Sequence, residues 1–221
     1  FSNMIIDTRL YPGQWWGHGE PIHISALPGL GSKEVGTISN IRFSNIIASG
    51  EEGILLYGSE ESVLRDIRFD HVQLSIRRGA LTDYYAGNFD LRATNDPKLA
   101  IFKHDIPAIY ARHVNGLTLR DIDVRWDSSL PDYFTNAISC DHFHQLTIDG
   151  FSGSAGPQAA AARAVIALSE GSDALIRNLR GGSITENSLS SGKSMRRVNW
   201  LSQKNISDLK FFPPASGKKK N

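Results

Sequence analysis

ISNIRFSNII (residues 38–47) is answered by LRDIRFDHVQ (residues 64–73), so that Ile41, Phe43 and Ile46 recur as Ile67, Phe69 and Val72 after 26 residues. Between the two copies lies a second apolar run, GILLYG (residues 53–58). Each copy therefore holds two short strands separated by polar turns. A period in the twenties with this content describes a coil stacked on its neighbours, because no single repeat can bury its own apolar face. Within each triplet the first two members are spaced by two and share one face of a strand. The third follows a polar pair that bends the chain.

The pattern continues along the sequence with slippage confined to the turns. Further triplets stand at Leu117/Leu119/Ile122, Leu146/Ile148/Phe151, Ala174/Ile176/Leu179 and, last, Leu209/Phe211. The intervals between first members are 26, 50, 29, 28 and 35 residues. Companion strands are read at PIHISAL (residues 21–27), GILLYG, PAIYARHV (107–114), NAISCDHF (136–143), AVIALSEG (164–171) and VNWLSQ (198–203). Few windows repeat apolar residues at three and four, whereas β-branched and aromatic residues alternate between Gly-, Asn- and Asp-containing turns. The expected fold is all-β, a right-handed parallel β-helix, its hand following from the crossover preference of parallel strands. It should form one domain over residues 1–212, followed by a flexible tail over 213–221. The opening FSNMIIDTR matches FSNIIAS (residues 43–49) and sets Phe1 level with Phe43. A coil truncated at its N-terminal end, with a further rung upstream, is expected from that match.

Composition narrows the function classes. Forty per cent hydrophobic residues in 221 permit a sizeable core, and 20 Gly with 9 Pro supply the turns a solenoid needs. A net charge of +1, with the one basic run (residues 218–220) in the tail, gives no general attraction for nucleic acid. No stretch is long enough for a membrane-spanning helix. A single cysteine, Cys140, excludes an intrachain disulfide. No nucleotide or phosphate fingerprint is present, and no cofactor is expected.

Two segments break the period: DTRLYPGQWWGHGE (residues 7–20) and RRGALTDYYAGNFDLRATNDPKLAIFKHD (residues 77–105). Insertions into a solenoid cluster on one face, often the binding face. Trp15, Trp16, Tyr84 and Tyr85 have the flat apolar surface that stacks on sugar rings. Arg9, Arg78, Arg92 and Lys103 suit carboxylates, arginine in bidentate fashion. Asn88 and His104 complete the candidate binding set. The alternative is that these loops fold over the coil and their aromatics cover its core.

TRLYPGQWWGHGEPIHISALPG, with ISNIRFSNI, GILLYGSEESVLRDIRF and HDIPAIYARHVNGLTLRDIDVRW, resembles the carboxy-terminal rungs of pectinase-type (pectin-lyase-like) β-helix proteins. The closest resemblance is to bacterial relatives of glycoside hydrolase family 28, the polygalacturonase group. It extends from Phe1 to about Leu179. It implies inverting hydrolysis of a galacturonate-containing, acidic polysaccharide, in a secreted or periplasmic setting. The family's Asn-Thr-Asp, Asp-Asp and Arg-Ile-Lys runs are absent from this chain, which places the catalytic aspartates, on this reading, upstream of residue 1. Gly17-His18-Gly19 resembles the family's Gly-His-Gly, which makes His18, with the neighbouring acid Glu20, the catalytic candidates within the chain.

Other clusters admit plainer readings. Cys140, His142 and His144 imitate a zinc site, yet the repeat turns Cys140 into the core, and no metal is assigned. His104-Asp105 is read either as an oriented acid/base pair or as a loop anchor. Three functions remain open from sequence: part of a glycoside hydrolase, a noncatalytic glycan-binding β-helix, and a structural solenoid. A polysaccharide lyase, which needs calcium-binding acids and a basic catalyst, is a lesser rival. For the 221-residue chain alone, the reading predicts no hydrolysis and a tendency to self-associate.

Overall fold

The computed structural model describes residues 1–12, 18–28, 34–85, 87–91, 101–159 and 164–180, and the strand segments 184–187 and 196–201. In chain order the elements are β1 (Ser2–Asp7), β2 (His23–Ser25), β3 (Arg42–Gly50), β4 (Ile54–Tyr57), β5 (Leu64–Arg65), β6 (Arg68–Ile76), α1 (Thr82–Tyr85), β7 (Asn88–Asp90), β8 (Ile101–Lys103), β9 (Ile109–Trp126), β10 (Ile138–Ser152), β11 (Ile166–Ser169), β12 (Ser172–Arg180), β13 (Ile184–Asn187) and β14 (Arg196–Leu201). Two parallel ladders run through them. One follows β1, β3, β6, β9, β10, β12 and β14; the other follows β2, β4, β9, β10, β11 and β13. Among the described residues, only β7 and β8 pair antiparallel. The chain is an all-β parallel β-helix.

The register is the one the sequence repeat demands. Phe43 lies opposite Phe69, Phe69 opposite Leu119, Leu119 opposite Ile148 and Ile148 opposite Ile176. All five side chains are buried. The Phe1, Phe43 and Phe69 rings stack at centroid distances of 5.0 and 4.8 Å, close to the spacing of neighbouring strands. The last rung differs from expectation. Residues 198–201, expected as a companion strand, belong to β14 beneath β12, with Val198 opposite Ala174 and Trp200 opposite Ile176. The companion position is filled by β13, Ile184 opposite Ile166. Alternating apolar residues fit either ladder, so the pattern alone could not decide between them. The expected triplet Leu209/Phe211 and the tail lie outside the described residues.

The polar pairs that bend the chain form three columns of left-handed corners. Asn3, Asn45, His71, Asp121 and Asn178, with Gly150 among them, make the first, all at positive φ. Asn40, Asp66, Gln145 and Asp173 make the second with Gly116, and His113, His142 and Glu170 the third. Every described non-glycine residue at positive φ falls in one of them. Asn, Asp and His tolerate this region best, and their side chains bond along the column. Asn45 Nδ2 donates to Asn3 Oδ1 at 3.1 Å. Beside the first column, Asp70, Arg120, Asp149 and Arg177 alternate in charge from rung to rung. Arg177 Nη2 donates to Asp149 Oδ2 at 2.7 Å, and with Asn178 it holds the Asp149 carboxyl below its usual range. A slip by one rung would bring like charges together, so the column reinforces the register.

At the β1 end, the second edge of β1 has no strand partner among the described residues. Phe1 is 71% exposed, and a concavity of about 700 Å³ is lined by Met4, Ile6, Ile22, Ile24, Ile41 and Phe43. An open strand edge beside apolar surface is adhesive. Sedimentation equilibrium of the 221-residue chain is expected to show a mass that rises with concentration, an effect reduced by Met4→Lys. A concentration-independent monomer would contradict this.

Candidate functional site

Where β3 turns into β4 the chain reads Gly50-Glu51-Glu52-Gly53, and both glycines are there for lack of space. A Cβ on Gly50 would lie 2.9 Å from Thr8 Oγ1 and from Pro21 Cδ; one on Gly53 would lie 2.0 Å from the Pro107 carbonyl. The two glutamates are thus held between the first insertion and the next rung. Both are buried. Glu51 Oε2 accepts the Leu10 N–H at 3.1 Å, and its carboxylate fills the space beside Gly79, where a Cβ would come within 2.1 Å of it. Glu52 is fully buried, and neither of its carboxylate oxygens has a hydrogen-bond partner among the described residues. Burial, reinforced by Glu20 and Glu51, holds its carboxyl well above the ordinary range.

His18 and Glu20 border this turn. Glu20 Oε2 accepts the His18 N–H and lies 3.8 Å from His23 Nδ1, while Thr8 Oγ1 donates to the Gly19 carbonyl at 2.7 Å. With His18 at 1% and Glu20 at 8% exposure, both serve in this structure to close the base of the first insertion.

The two insertions leave the coil side by side. Arg77 forms a bidentate pair with Asp7 and reaches the Thr8 carbonyl. Ser25 Oγ donates to the Leu91 carbonyl at 3.5 Å. The second insertion then lies across the outer side of β4 and β9. Phe89 stacks on Tyr110 at 5.7 Å, Phe102 meets Tyr57 at 5.3 Å, and the His104 ring lies 4.3 Å from Tyr110. These rings cover the coil. His104 Nδ1 bonds the Asp105 carbonyl. Asn88 is half-buried and pairs through its backbone with Lys103. Arg78 is occupied by Asp83 and the Ser129 carbonyl.

Arg9 is exposed, and so are Tyr11 and Tyr84, at 62% and 81%. Tyr11 follows Leu10, which is tied to Glu51. Tyr84 lies two residues past Thr82, whose Oγ1 accepts the N–H of Gly79 at 2.9 Å. The sequence reading passed over Tyr11 and the two glutamates; the only signal for Tyr11 was its place beside Arg9 in TRLYPG. Trp15, Trp16, Arg92 and the side chain of Tyr85 lie outside the described residues.

A second polar cluster follows the third corner column. His142 Nδ1 lies 2.9 Å from Asp141 Oδ1 and its Nε2 2.8 Å from Glu170 Oε2; the His113 ring lies 4.6 Å away. Burial, with His142 and Arg112 adding to it, lowers the His113 pKa. Cys140 points into the core opposite Ala111 and Leu168, its thiol pushed up to about 12 by burial, while His144 pairs with Ser172 and Asp173. The three residues that imitate a zinc site are thus engaged separately. Asp70, His71 and Asp121 do converge, on the exposed first column, where His71 Nδ1 lies 2.8 Å from Asp70 Oδ1.

No protein-family model matches the chain, and no curated protein matches it. A solved structure of a candidate glycosyl hydrolase from Parabacteroides merdae is similar over 85% of this chain and 84% of that one, at 12% identity and a TM-score of 0.31. A likeness that low bears on neither fold nor function.

Proposed function

We propose that the chain binds galacturonate-containing polysaccharide as part of a glycoside hydrolase of the polygalacturonase kind, the saccharide lying along the edge where the two insertions meet. The observation that carries this reading is the junction at Glu51, which ties together two insertions that each present an exposed tyrosine, with exposed Arg9 beside Tyr11. Aromatic faces match the apolar faces of sugar rings, and a guanidinium matches a uronate carboxylate. Trp15, Trp16, Tyr85 and Arg92 belong to the same two segments of sequence. Inverting hydrolysis needs an acid and a base about 6.5–9.5 Å apart with water between them. Glu20, Glu51 and Glu52 are all buried, which favours saccharide binding over bond cleavage at this edge. That burial supports a second reading, a noncatalytic glycan-binding β-helix.

Calorimetric titration with a galacturonate oligomer and a neutral galactose oligomer tests the proposal. Arg9→Ala is expected to weaken the acidic ligand roughly tenfold, the equivalent of about 1.4 kcal/mol, and to leave the neutral one unchanged. Tyr84→Ala should weaken both. Equal losses for the two ligands in Arg9→Ala, or no binding at all, would refute it. Reducing-end release by the chain, abolished in Glu20→Gln, would assign cleavage to this edge; binding without release would assign the noncatalytic role.

A further inference from the structure

The buried glutamates do more than fill the turn between β3 and β4. Two hydrogen bonds hold the first insertion by its backbone: Glu51 takes the Leu10 N–H and Glu20 the His18 N–H. Glu52 sits with them, without a hydrogen-bond partner and shielded from water. We propose that Glu52 is the pivot of a pH-dependent clasp: neutral, it lets Glu20 and Glu51 hold residues 8–10 and 18–20 against the coil; ionised, it sets three buried carboxylates against one another and loosens that hold.

Among the described residues, the charged groups that act on Glu52 are both carboxylates. Glu51 flanks Glu52 on its own turn, and Glu20 acts on it from the first insertion, with His23 Nδ1 3.8 Å from Glu20 Oε2. Toward the later rungs stands Tyr133, which gives its hydroxyl proton to the Thr82 carbonyl at 2.9 Å and whose own ionisation is pushed above the ordinary range, by burial first and Glu52 second. Arg77 is committed to Asp7, and Arg78 to Asp83. The fall in dielectric that makes a lone buried charge expensive also magnifies repulsion between neighbours.

The sign follows from where the proton is held. Glu52 keeps its proton in the folded protein at pH values where the unfolded chain has already released it, above the ordinary 4.5. Its contribution is therefore complete below that value, falls as pH rises toward the elevated folded value, and is constant beyond it. Hydrogen exchange of the 221-residue chain reads the clasp directly. Corrected for intrinsic exchange, protection of the Leu10 and His18 amides is expected to fall as pH rises from the ordinary 4.5 to about 9, by about tenfold for each unit by which the folded value exceeds the ordinary one. Amides of the coil core, such as Ile54 and Leu119, should keep theirs. Glu52→Gln should hold Leu10 and His18 protection within about twofold over the same range and raise it at the alkaline end. Glu20→Gln, which keeps an acceptor for His18, provides a second variant with a reduced fall. Either variant tracking the wild-type profile, or a loss shared equally by the core amides, would overturn the clasp.

Discussion

Phe69→Ala is expected to destabilise the coil by about 3–5 kcal/mol, the range for removing a fully buried aromatic ring. Phe69 is completely buried in β6, stacked on Phe43 of the rung before and opposite Leu119 of the rung after. A cavity at that point has a packed rung on either side. Neither can move in to fill it without shifting its own ladder of hydrogen bonds. Phe1 belongs to the same aromatic column but at its exposed end. Phe1→Ala should therefore cost less than about 1 kcal/mol, since much of the ring already faces water. Urea unfolding followed by circular dichroism separates the two, with a large drop in midpoint for Phe69→Ala only. Equal drops would contradict the placing of Phe69 in a closed interior and of Phe1 at the exposed end of the column.

That contrast reflects what was legible in the sequence. Triplets such as Ile67/Phe69/Val72 encode the register because side chains alternate across a strand, and a one-residue slip would turn Phe69 to solvent. The corners were legible as polar pairs, although their left-handed backbone was not: asparagine, aspartate and histidine tolerate positive φ without announcing it. The last rung misled because V-x-W alternates equally well in either ladder. The edge between the insertions was legible only as two breaks in the period. Arg77 pairs with Asp7 across 70 residues, and no local pattern records such a contact. Glu51 and Glu52 look like ordinary turn acids until neighbouring chain closes over them. For the aromatics of the second insertion the sequence left two readings open, and the structure divides the residues between inward Phe89 and Phe102 and outward Tyr84. All three are aromatic, and the path of the chain sorts them.

The tightest point of the coil predicts the second large effect. Gly53 lies where the turn carrying Glu51 and Glu52 enters β4, and a Cβ there would stand 2.0 Å from the Pro107 carbonyl oxygen and 2.9 Å from that of Ala108. Both atoms are backbone, so no side chain can rotate away. The Ala108 carbonyl also accepts the Ile54 N–H at 2.8 Å, a bond between neighbouring rungs that any outward shift would stretch. Overpacking of about 1–3 kcal/mol and a weakened buried hydrogen bond of similar size act together in Gly53→Ala. A loss on the order of 3 kcal/mol is expected. Gly36→Ala is the matched control, because a Cβ at Gly36 meets nothing within 4 Å. Its effect should stay within about 0.5 kcal/mol, as for an open surface position. Thermal unfolding of the pair decides the matter: if Gly53→Ala melts with the wild type, the rungs at this turn are not in the close contact described.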